Sequence, residues 1–61
     1  MTTICINYDS EISTNTIHNR LDTIADRIPC IVKYHADTCE ISVQCRTEDA
    51  PWVERMLADL V

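Results

Sequence analysis

The spacing of apolar residues along this chain switches between period two and a helical period of about 3.6, and the order of those switches leaves few folds open to it. Ile4-Cys5-Ile6-Asn7-Tyr8 alternates and is rich in β-branched and aromatic residues, which predicts a strand with Ile4, Ile6 and Tyr8 on one face. From Ile17 the period becomes helical. Ile17, Leu21, Ile24, Ala25 and Ile28 recur three and four apart as one stripe, Ser13 or Thr14 is placed to cap the start, and Pro29 ends the helix. Alternation returns at Cys30 to Tyr34, with Cys30, Val32 and Tyr34 on one side. It returns again at Cys39 to Arg46, where Cys39, Ile41, Val43 and Cys45 face in and Glu40, Ser42, Gln44 and Arg46 face out. Between these two strands His35-Ala36-Asp37-Thr38 forms a tight turn without glycine, and Asp37 is the residue expected to take a left-handed conformation. Thr47-Glu48-Asp49-Ala50-Pro51 then opens a second helix, with acids in its first turn and proline where a missing N–H matters least. Val53, Met56, Leu57 and Leu60 form its stripe, and the helix is expected to run to the C-terminus.

The order βαββα, with a hairpin at strands two and three, predicts a crossover through the first helix that leaves strand three between the other two. The expected fold is α+β: one domain over residues 1–61, a three-stranded sheet of order 1-3-2, and both helices on its single apolar face. Strand one keeps an unpaired edge in that arrangement.

A chain of 61 residues buries only about 60% of the surface that its unfolded form exposes, so its stability is expected to be marginal. With 46% apolar residues in short runs, it has material for a core and no run of the roughly 20 that a membrane helix needs. The N-terminal residues lack the basic and apolar blocks of a secretory signal, so the cytoplasm is the expected compartment. Ten acids against five Lys and Arg give a formal charge of −5, unfavourable for binding nucleic acid directly and suited to a basic protein partner. The absence of glycine removes the phosphate-cradling loops of nucleotide enzymes.

Cys5, Cys30, Cys39 and Cys45 form no CxxC pair, and His18 and His35 stand at no zinc-ligand spacing to them. Free thiols serving as small hydrophobes are expected, with Cys5 the exception on the helix-free face. In an oxidising compartment an even cysteine count would instead suggest disulfides. His18 precedes Asp22 by one helical turn, which reads as a surface hydrogen bond, and Trp52 reads as a partly exposed flank of the core. No catalytic residue, cofactor or metal is expected.

The topology assigns places to the acids. Strand one ends, the hairpin turns and helix two finishes at one edge, gathering Asp9, Glu11, Asp37, Asp59 and the terminal carboxylate. The opposite edge takes Asp26, Glu48 and Asp49. Asp22 and Asp26 share an exposed helical face one turn apart, with Cβ atoms about 5–6 Å from each other, near the scale on which phosphates follow one another along a nucleic-acid strand.

The size, the acidity, the lack of glycine and of catalytic motifs, and the opening Met-Thr-Thr-Ile-Cys-Ile-Asn-Tyr-Asp-Ser-Glu-Ile together resemble small phage-encoded anti-CRISPR proteins that inhibit a type I-C surveillance complex. That resemblance spans the whole chain and implies a DNA mimic that occupies a basic DNA-binding surface of a CRISPR-Cas effector subunit in the cytoplasm of a bacterial host cell; a monomer is expected in preference to a dimer. It carries over no functional residue. The partner-binding candidates are therefore the acids placed above: Asp9, Glu11, Asp22, Asp26, Asp37, Glu48, Asp49 and Asp59. The alternative reading is a small homodimeric regulatory or interaction module without catalytic activity, joined through the free sheet edge or the open face.

Overall fold

A computed structural model describes all 61 residues. Strand β1 (Thr2–Asn7) is followed by helix α1 (Thr14–Arg27), strands β2 (Cys30–His35) and β3 (Glu40–Cys45), a single 3₁₀ turn (Thr47–Asp49) and helix α2 (Ala50–Ala58). The sheet order is β1-β3-β2, antiparallel at both ladders, in the α+β arrangement that the alternation predicts.

Each boundary has a local cause. Ser13 caps α1 by accepting the Thr16 N–H on its Oγ at 3.2 Å, satisfying one of the N–H groups that a helix start leaves open. At the other end Ile28 is extended, as a residue before proline prefers, while its own N–H still closes on the Ile24 carbonyl. Helix α2 is shorter than the sequence suggests. A 3₁₀ turn precedes it, and it stops at Ala58 because Leu60 closes a tight turn onto the Leu57 carbonyl and accepts the Asp9 N–H at 2.7 Å. That bond fixes Leu60 in the core, so the apolar stripe extends beyond the helix that carries it.

The hairpin differs from expectation at its bounds and its turn: β2 runs on to His35, and β3 starts at Glu40 and stops at Cys45. Cys39, with φ 55°, takes the left-handed conformation that Asp37 was expected to supply. The loop between the paired residues His35 and Glu40 has four residues, and its last must reverse the chain back into the ladder. A left-handed non-glycine residue costs about 1–2 kcal/mol. Here the strained residue is tied down, since the Cys39 carbonyl accepts the Tyr8 N–H at 2.9 Å.

The core lies between the helices and one face of the sheet. Ile41, Val43 and Cys45 on central β3 are fully shielded, covered by Ile17, Leu21 and Ile24 of α1 and by Val53 and Leu57 of α2. Fully burying an aliphatic side chain of this kind contributes about 1.5–3 kcal/mol. Ala25, assigned to the α1 stripe by spacing, is exposed at its margin. The edge strands are less completely covered on their inner faces, β2 by α1 and β1 by α2, although Ile4 of β1 is buried in the core.

Candidate functional site

The hydrogen bonds Tyr8 N–H to Cys39 and Asp9 N–H to Leu60 join the end of β1, the hairpin and the tail of α2 at one end of the sheet. Asp9, Asp37 and Asp59 are carried there, with Glu11 two residues beyond Asp9 in a turn that the Asp9 carboxylate closes by accepting the Glu11 N–H at 3.0 Å. These acids are not equivalent. Arg20 of α1 grips Asp59 through two parallel bonds of 2.5 and 2.9 Å and also donates to the Met56 carbonyl. The bidentate guanidinium holds the Asp59 carboxyl below the usual carboxylate range and fastens the end of α2 to the middle of α1.

At the opposite end Arg46 plays the same part. Its Nε lies 2.9 Å from Asp49 and 3.5 Å from Glu48, so the 3₁₀ turn forms around one arginine that neutralises both acids. Glu48, Asp49 and Asp59 are thus committed to internal ion pairs. Asp9, Glu11, Asp22, Asp26 and Asp37 have no cation within ion-pair distance, nor do Glu40 and Glu54, which sequence reasoning did not single out. Sequence separation hides the Arg20–Asp59 pair, which meets across 39 positions, whereas Arg46 stands only two and three residues before Glu48 and Asp49.

Asp22 and Asp26 lie on the solvent side of α1, opposite the buried Ile17, Leu21 and Ile24. Their neighbours one turn away supply no compensation: His18 packs edge-on against Tyr34 at 5.1 Å between ring centres, and the bond to Asp22 that its spacing suggests is not made. Tyr34 in turn accepts from the Tyr8 hydroxyl at 3.2 Å. That bond, with desolvation, pushes Tyr8 ionisation well above the tyrosine range.

On the helix-free face the strands align three rows: Thr3, Gln44 and Ile31; Cys5, Ser42 and Lys33; Asn7, Glu40 and His35. Cys5 is exposed there, its thiol 3.6 Å from the Ser42 hydroxyl, and Trp52 at the start of α2 is half-buried. The surface holds no pocket, and no three His, Cys, Asp or Glu side chains are grouped to hold a metal ion. No helix is long and apolar enough to cross a membrane. Comparison with protein-family models, with curated proteins and with solved structures gave no match.

Proposed function

We propose that the protein is an acidic, non-catalytic inhibitor that binds a basic protein surface in place of DNA. The expected target, following the anti-CRISPR resemblance, is a subunit of a bacterial CRISPR surveillance complex, and the acting form is a monomer. The observation that carries this reading is the uncompensated pair on α1. Asp22 and Asp26 repel each other across one helical turn, and Asp26 stands in the last turn, where the helix dipole also disfavours an anion. Both placements lower the stability of a small domain, and a gain in binding gives a reason to keep them. Asp9, Glu11 and Asp37 form the second candidate patch. Glu48, Asp49 and Asp59, committed to Arg46 and Arg20, contribute to the fold more than to a partner.

A competition assay with a purified type I-C surveillance complex and labelled target DNA tests the proposal. Wild-type protein should displace DNA less effectively as salt rises, because screening weakens contacts between exposed charges. Reversing both acids, Asp22→Lys with Asp26→Lys, should abolish displacement while the circular dichroism spectrum is kept. Undiminished inhibition by that variant, and by the corresponding reversal of Asp9 and Asp37, would sink the reading.

A further inference from the structure

Hydrogen bonding alternates along an antiparallel strand, so the Tyr8 bond to Cys39 fixes the direction of every β1 backbone group. Thr2, Ile4 and Ile6 turn their N–H and C=O groups toward β3. Thr3, Cys5 and Asn7 turn theirs toward the free edge. Asp9 has the same outward parity, and its N–H is the one already taken, by Leu60. The open window is therefore Thr3 to Asn7, closed at one end by the tail of α2 and centred on Cys5.

The two sheet edges differ in their defences. Strand β2 is preceded by Pro29 and carries Lys33, devices that discourage further pairing. The window in β1 has no charge and no proline, in a chain with ten acids. Its sequence, Thr-Ile-Cys-Ile-Asn, is also nearly palindromic in character: a polar residue, an isoleucine, the cysteine, an isoleucine, a polar residue.

We infer that β1 is a self-association edge, whose partner is β1 of a second copy running antiparallel about a two-fold axis at Cys5. A two-fold contact needs one patch to complement itself, and this window does. Thr3 then faces the partner's Asn7, Cys5 faces the partner's Cys5, and the half-covered Ile6 gains the partner's Ile4 beside it. The two sheets join into one of six strands, and no charged residue lies within the paired window Thr3–Asn7. Asp22 and Asp26 stay free, because α1 packs over β2 at the far side of the sheet. A standard interface takes about 800 Å² from each partner, a fifth of the 3957 Å² that this molecule exposes and more than five residues of edge supply. The dimer is accordingly weak, with a dissociation constant roughly micromolar or higher, and the monomer remains the form at low concentration.

Sedimentation equilibrium from about 10 μM to about 1 mM, at low and high salt, tests this. The expected result is a mass rising toward that of a dimer. The rise should be greater at high salt, since screening relieves repulsion between copies carrying −5 each, whereas binding driven by acids weakens. Cys5→Pro deletes an outward N–H that the monomer does not use. It should leave the circular dichroism spectrum intact and the protein monomeric. Cys5→Lys keeps the ladder, places like charges face to face, and should also remain monomeric, so it decides the matter if the proline variant misfolds. A monomeric wild type at every concentration, or a lysine variant that associates as the parent does, would overturn the inference, and neither result bears on the acidic face of α1.

Discussion

Asp26 is an acid in the least favourable part of α1, and replacing it with lysine separates its cost to the fold from its use. Three electrostatic contributions change together. The repulsion from Asp22 one turn earlier disappears, worth about 0.2–0.5 kcal/mol, and an attraction of about the same size replaces it, with the acid N-terminal to the base in the better orientation. A cation also replaces an anion in the last turn, where the helix dipole contributes about 0.3–1 kcal/mol at an exposed site. No existing bond is lost, since Asp26 makes none. Taking the low end of each contribution, Asp26→Lys should stabilise the domain by about 0.7 kcal/mol, which for a chain of this length raises Tm by about 3–6 °C. Thermal melts followed by circular dichroism at low ionic strength would measure the shift, and added salt should shrink it. The same variant should be a weaker competitor of DNA. A Tm that falls or stays level would refute the claim that this acid is uncompensated.

Truncating Leu57, which is fully shielded between α2 and the sheet, should cost about 2–5 kcal/mol, enough to leave a domain this small largely unfolded; a two-state denaturant curve within about 1 kcal/mol of the parent would contradict the packing described. Arg20 holds the Asp59 carboxyl below its ordinary value, so the stabilisation from that pair is complete above the unfolded value of about 4 and is lost as pH falls through the lower native one. Asp59→Asn should therefore melt below the parent at pH 6 and converge with it toward pH 2, by a modest amount because the carboxylate is largely exposed, and a gap independent of pH would count against the linkage. Among the thiols, Cys5 should alkylate first and Cys45 only as the domain opens, with Cys30 slow because burial, and then Cys45 facing it across the ladder, push its thiol up. Peptide mapping that found Cys45 labelled as fast as Cys5 would overturn the burial order.

The order of elements, the 1-3-2 sheet and the choice of apolar face were legible in the sequence, because each depends on local periodicity and on punctuation such as Ser13 and Pro29 acting within one turn. The positions of the acids along the chain were legible too, but not their states. Whether Asp59 is free or gripped depends on Arg20 meeting it from another helix, and Glu48 and Asp49 are neutralised only because the chain wraps a 3₁₀ turn around Arg46. The left-handed residue fell at Cys39 instead of Asp37 because the ladder, not the intrinsic tolerance of a side chain, sets where the loop must reverse. Most of all, the outward parity of Thr3, Cys5 and Asn7 belongs to the register of β1 on β3, which the Tyr8–Cys39 bond continues past the strand ends. Periodicity reports which side of a sheet a residue occupies, whereas the direction of a backbone N–H is decided only when the neighbouring strand is in place.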